Sequence, residues 1–107
     1  MTAERIRELN DSFRQKLEGG KVMLTSAVTG LPPANLSQLI AGVRAYNSFS
    51  LENDPHGEHD FGSLGVCGQT FFWKIDYYDH SLESGSPNPA DPSVTVRVLT
   101  IMRADEY

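Results

Sequence analysis

The chain of 107 residues is close to the commonest domain size, so residues 1–107 are expected to form one domain with one core and no separate catalytic domain. With 39% hydrophobic and 21% charged residues, it falls outside the composition of disordered chains, and no apolar run approaches the roughly 20 residues of a membrane helix. The net charge of −5 divides into +2 over residues 1–50 and −7 over residues 51–107, and that acidic half disfavours direct binding to a phosphate backbone.

The opening MTAERIRELND lacks the basic-then-apolar order of a signal peptide. Cys67 is the single cysteine, so neither an intrachain disulfide nor a thiolate zinc cage can form. Both features point to a cytoplasmic protein.

Ile6, Leu9, Phe13 and Leu17 recur at helical spacing, which predicts an amphipathic helix over about residues 3–18 with Arg7, Arg14 and Lys16 turned away from the core. Gly19-Gly20 ends it. Lys21 to Thr25 has the content of a short strand, stopped by Pro32-Pro33. A proline suits a first helical turn, and Leu36, Leu39, Ile40, Val43 and Tyr46 place a second helix near 33–48. The period then changes to two, giving strands over Phe61 to Cys67 and Thr70 to Tyr78. Gly68-Gln69 between them predicts a type II′ hairpin turn. Residues 80–93 carry Pro87, Pro89, Pro92 and Gly85, a loop composition, and Val94 to Met102 resumes as a strand.

The order α-β-α-β-β-β predicts an α+β domain: about four strands in a largely antiparallel sheet, with two helices packed on one face. Phe71, Trp73, Ile75 and Tyr77 share the face assigned to the core. Phe72, Lys74, Asp76, Tyr78, Arg97, Leu99 and Ile101 are assigned to the other, where aromatic and charged residues mix as they do at protein interfaces. The alternative is that the loop of residues 80–93 folds over that face.

Asp54, His56, Glu58, His59 and Asp60 gather five metal-ligating or proton-transferring side chains within seven residues. In extended backbone Asp54, His56, Glu58 and Asp60 alternate onto one side, and Gly57 allows a curl that brings imidazole and carboxylate to a Zn- or Mn-like ion. The metal ligands under that reading are Asp54, His56 and His59. Asp-Pro-His-Gly is equally a β-turn sequence that needs no ligand, and the spacing matches none of the specific metal signatures. No cofactor is therefore required, and a divalent metal is the alternative. Metal-free acid/base work by His56, Glu58, His59 and Asp60 is a further reading, because imidazole titrates near neutral pH and a carboxylate orients it. A nucleophile is missing: Ser63 is not in a G-x-S-x-G elbow, and a lone Cys67 beside a turn is more often a small hydrophobe.

The runs NDPHGEHDFG, FFWKIDYYD, SPNPADPSVTVRVLTIM and RADEY, joined to the opening I-R-E-L-N-D-S-F-R, resemble the bacterial family catalogued as domain of unknown function 3768. The resemblance covers roughly residues 5–107 and implies no particular activity, ligand or catalytic residue. Members look like short stand-alone proteins of proteobacteria, some in mobile-element settings, which implies a role in host–element conflict.

Two functions follow as expectations. The first is a small acidic protein that acts by protein–protein contact, as inhibitors of restriction or CRISPR machinery do, with carboxylates standing where a partner expects phosphates. Glu52, Glu58, Phe72, Lys74, Asp76, Tyr78, Asp79 and Arg97 are its contact residues. The second is a hydrolase or isomerase centred on residues 53–60, using metal or His/carboxylate chemistry. A homodimer through the second sheet face is the third arrangement.

Overall fold

A computed structural model describes residues 2–107. Helix α1 spans Thr2–Lys16, followed by β1 (Gly20–Leu24), a single turn α2 (Ser26–Thr29), α3 (Pro33–Ala45), β2 (Phe61–Val66), β3 (Gln69–Tyr78) and β4 (Val96–Arg103). The expected order α-β-α-β-β-β holds, with α2 added. The sheet runs β1-β4-β3-β2; β1 lies parallel to β4, and the other two pairings are antiparallel. No helix among the described residues is long and apolar enough to cross a membrane.

Alternation decides which side of each strand meets the helices. Phe71, Trp73 and Ile75 on β3 lie in register with Arg103, Ile101 and Leu99 on β4, and their ring and branched side chains form one core with Phe13 of α1, Val28 of α2, and Leu39 and Val43 of α3. Each fully buried side chain of this kind stabilises by about 1.5–3 kcal/mol. Gly62 of β2 is opposite Trp73, and a Cβ there would clash with the indole nitrogen and the ring carbons beside it. Gly62→Ala is therefore expected to cost about 1–3 kcal/mol by overpacking, read as a lower urea midpoint with unchanged slope.

Three local expectations are corrected. The hairpin turn is Cys67-Gly68, one residue earlier than Gly68-Gln69, because φ is positive at both (54° and 74°) and Val66 pairs with Gln69. That is the type I′ geometry, whose twist matches the strands it joins. Arg14 does not face away from the core but is 1% exposed: the buried stripe of α1 is Ile6, Asn10, Phe13 and Arg14, rotated from the purely apolar one. Arg97, Leu99 and Ile101 lie on the helix-covered face, since Arg97 is in register with Tyr77, and Arg97 is 4% exposed. The loop of residues 80–93 is fastened on the same side, through Pro89 O to Arg97 Nη2 (2.5 Å) and Asn88 O to Thr95 Oγ1 (2.9 Å).

The last turn is clasped as well. Glu106 accepts from Thr25 Oγ1 (2.6 Å), the Arg103 amide (2.7 Å) and the Ala27 amide (3.1 Å), joining the chain end to the β1–α2 junction. The bond from Thr25, then those from the backbone amides, hold its carboxyl below the usual range.

Candidate functional site

The segment 50–60 is a folded turn rather than an extended ligand strip. Asp54 N donates to Ser50 O (2.8 Å) and Gly57 N to Asp54 O (3.1 Å), closing the Asp-Pro-His-Gly turn that its residues favour. Gly57 (φ 67°) and His59 (φ 55°) then take left-handed backbone, so successive side chains do not alternate onto one side. The expected five-residue cluster is divided three ways. His56 stays exposed on the turn, His59 faces α1 beside Asp54, and Glu58 and Asp60 converge on Tyr77. Asp54, His56 and His59 are accordingly not gathered, and among the described residues no group of three or more His, Cys, Asp or Glu is placed to hold a metal ion. The four-residue acid/base set His56, Glu58, His59 and Asp60 is split in the same way.

His59 is held through its ring face, one ring nitrogen and its backbone amide. Its ring stacks on Phe49, 3.7 Å between centroids and 4° from parallel. Nδ1 lies 2.9 and 3.1 Å from the two oxygens of Asp11, and its backbone amide donates to Asp54 Oδ1 at 3.1 Å. Nε2 is 3.6 Å from Asp54 Oδ2, beyond hydrogen-bond range. Asp11 in turn accepts from Arg14 Nη2 (3.0 Å), and Arg14 Nη1 donates to the last carbonyls of α3, Val43 O (3.0 Å) and Arg44 O (3.1 Å). A cation at a helix C-terminus opposes the negative end of the helix dipole. The guanidinium also sits over Trp73 and Phe49, 5.1 and 5.6 Å from their ring centroids. Beside this array is a cavity of about 320 Å³ lined by Asp11, Arg14, Gln15, Tyr46, Asn47, Phe49 and His59.

The second convergence is a polar network under the sheet edge. Tyr77 Oη accepts from Asn10 Nδ2 (2.8 Å) and lies 3.2 Å from Glu58 Oε1 and 3.4 Å from Asp60 Oδ2. Asn10 Oδ1 accepts from Arg97 Nε (2.7 Å), and the guanidinium lies 5.3 Å from the centre of the Tyr77 ring. Burial, together with the carboxylates nearby, pushes the Tyr77 hydroxyl far above the usual tyrosine range. Burial first, then repulsion by Glu58, raises Asp60 above the usual carboxylate range.

A raised carboxyl binds its proton more tightly in the folded protein than in the unfolded chain. Stability contributed by Asp60 is thus fully present below the unfolded-state value and is lost as pH rises through the folded-state one. Asp60→Asn is expected to be more stable than the native protein at pH 7, with the difference shrinking on acidification. Urea midpoints of both proteins across that interval check the sign.

The sheet face opposite the helices carries the remaining expected residues. Phe72, Lys74, Asp76 and Tyr78 lie there, in register with Met102, Thr100, Val98 and Val96, while Arg97 does not. Phe61, Phe72 and the 74% exposed Tyr107 form a ring cluster with centroids 5.3–6.0 Å apart. Lys74 Nζ donates to Asp76 Oδ2 (2.5 Å), and that bond raises the lysine pKa. The acidic residues do not all share one face, since Glu58 meets Tyr77 on the helix side and Asp76 lies on the other. Asp79 binds Ser81 in the next loop, whose hydroxyl and amide hold its carboxyl low, Glu58 faces Tyr77, Asp76 holds Lys74, and Glu52 is exposed on the 51–53 turn.

Sequence reasoning missed Asn10, Asp11, Arg14, Tyr46 and Phe49. For α1 a signal existed: Ile6, Asn10 and Arg14 repeat every four residues, a row on one helical face in which two of three members are polar.

Neither a curated protein nor a solved structure matches the chain. The family described as "Protein of unknown function (DUF3768)" matches residues 24–106, a span that holds α2, α3, the turn of residues 54–57 and β2 to β4, with α1 lying before it. That match covers most of the chain, which therefore belongs to the DUF3768 family.

Proposed function

We propose that the chain is a cytoplasmic protein-binding module that meets its partner with the sheet face its helices leave uncovered. The observation that carries this reading is the Phe61–Phe72–Tyr107 cluster, which shares its face with Met23, 55% exposed on the edge strand β1 and separated from Phe61 by Thr100 and Lys74. One exposed and two half-buried rings, with an exposed methionine and a charged pair on the same face, have the composition of an interface core with a polar rim. The net charge of −5 adds long-range attraction to a basic partner, which speeds encounter and weakens with salt. An inhibitor of a nucleic-acid-handling defence complex is the finer form of this reading. Its support is the net charge alone, because the carboxylates chosen for phosphate mimicry are dispersed.

The test uses Met23→Lys/Tyr107→Lys, two changes at positions already exposed, so the fold is expected to survive. Capture from host lysate by the native chain, followed by binding of the purified partner, should show at least a tenfold loss for this variant. Identical recovery and affinity for both proteins would exclude the face as the contact surface. Light scattering on the same pair separates a second copy from a different partner: a dimer lost in the variant identifies the partner as the chain itself. For the finer form, charge reversal at the exposed Glu52 and Glu83 should weaken binding and flatten its salt dependence; no change in either removes it.

A further inference from the structure

Arg97 is a cation folded into the helix-covered side of the sheet, and only part of it is satisfied. Nε donates to Asn10 Oδ1 (2.7 Å) and Nη2 to Pro89 O (2.5 Å), both neutral acceptors. The third nitrogen, Nη1, bonds to no described residue. It is not one of the two solvent-shielded side-chain nitrogens without a partner, Arg14 Nε and Trp73 Nε1, so it keeps contact with solvent. Arg97 stands in the wall of a cavity of about 180 Å³ between the end of α1 and the loop before β4. At 4% exposure the residue has little other surface to give, which assigns Nη1 to that wall. Burial destabilises the guanidinium charge, and the carboxylate that offsets this, Glu58, is already turned to Tyr77 Oη (3.2 Å). A buried cation without an ion-pair partner gains from an anion that can reach its free donor.

We propose that this cavity binds a small monocarboxylate with a short apolar tail, its carboxylate accepting from Arg97 Nη1 and its tail lying on Leu9, Phe13 and Pro92. Ser12 is in the same wall, and its hydroxyl, which bonds no described residue, is a second donor for the carboxylate. A single negative charge fits better than the two of a phosphate. Glu18 borders the cavity, and the carbonyl end of α1 lies beside it, so a second charge would meet repulsion that one guanidinium does not offset. A volume of about 180 Å³ is below the range of drug-sized sites and admits a few carbon atoms rather than a nucleotide. This site is on the helix-covered side of β4, so it is independent of the open sheet face and survives the failure of that reading.

The probes are butyrate, and butyramide, which keeps the carbon chain but carries an uncharged amide in place of the carboxylate. Two-dimensional amide NMR of the native chain should show saturable shifts at Gly19 and Thr95 with butyrate, and binding of butyramide weaker by about tenfold or more. Glu18→Gln removes an exposed acid from the wall and should tighten butyrate about two- to fivefold, an advantage that fades as salt is added. Ser12→Asp sets a carboxylate against the ligand at an exposed helical position and should weaken butyrate about tenfold while circular dichroism stays native. Arg97→Gln removes the donor itself and should abolish the shifts; it is read only in protein that retains the native spectrum. Absence of saturable shifts with butyrate in the folded chain, equal binding of butyramide, inorganic phosphate bound as tightly as butyrate, or butyrate binding unchanged by both Glu18→Gln and Ser12→Asp would overturn the assignment.

Discussion

Arg14→Met is expected to destabilise the protein by about 3 kcal/mol, because it removes a buried cation and leaves the end of α3 without its donors, although the partner carboxylate of Asp11 is 29% exposed. The side chain is 1% exposed and joins three elements: Asp11 on its own helix, the end of α3 through Val43 O and Arg44 O, and the Trp73 and Phe49 rings below. Methionine fills the volume but returns none of the three hydrogen bonds. It leaves two carbonyls and the carboxylate that orients His59 without their cation. Lysine restores the charge at a single point and cannot reproduce the planar fork, so Arg14→Lys should recover less than half of the loss. Trp73 is the only tryptophan and lies in contact with the guanidinium, which makes its fluorescence a direct readout of urea unfolding. A loss below about 1 kcal/mol for Arg14→Met would show that the array is a surface-like contact, worth no more than an exposed ion pair.

What the sequence made legible was the part in which side-chain polarity and backbone period agree. Phe71, Trp73, Ile75 and Tyr77 alternate with Phe72, Lys74, Asp76 and Tyr78, and β3 falls where that alternation places it. The Asp54–Gly57 turn was equally readable, because its residues specify a local geometry that needs nothing from the rest of the chain. β4 was different. Valines occupy one face and leucine with isoleucine the other, so hydrophobicity could not orient the strand, and the charge of Arg97 suggested the open side. That inference failed because Asn10, 87 positions away, supplies its acceptor. Arg14 was misplaced for the same reason: its acceptors are carbonyls at the end of α3, and backbone carbonyls leave no mark in a sequence. The site followed these errors. His59 was visible as chemistry, but the residues that fix its ring, Asp11 and Phe49, lie 48 and 10 positions upstream on elements brought together only by folding.

Asn10→Leu is expected to cost about 3 kcal/mol, more than a neutral buried amide alone would explain, because it strips a buried cation of its side-chain acceptor. Asn10 is fully buried, accepts from Arg97 Nε at 2.7 Å, and donates to Tyr77 Oη at 2.8 Å and Glu58 O at 3.0 Å. Among the described residues no carboxylate pairs with Arg97; burial lowers its pKa, and Pro89 O is its other acceptor. The network therefore satisfies a desolvated charge with neutral dipoles, an arrangement in which each member depends on the rest. Arg97→Met should likewise cost about 2–3 kcal/mol, through Asn10 left without its donor and the lost packing on Tyr77. The double variant Asn10→Leu/Arg97→Met removes charge and acceptor together and should lose less than the two single losses combined, with a coupling of about 1–3 kcal/mol. Urea unfolding of the four proteins in the cycle measures that coupling directly. Strict additivity would mean that Arg97 is satisfied elsewhere. In that case Pro89 O would hold the buried guanidinium without help from Asn10, and Asn10 would serve Tyr77 Oη and Glu58 O independently of it.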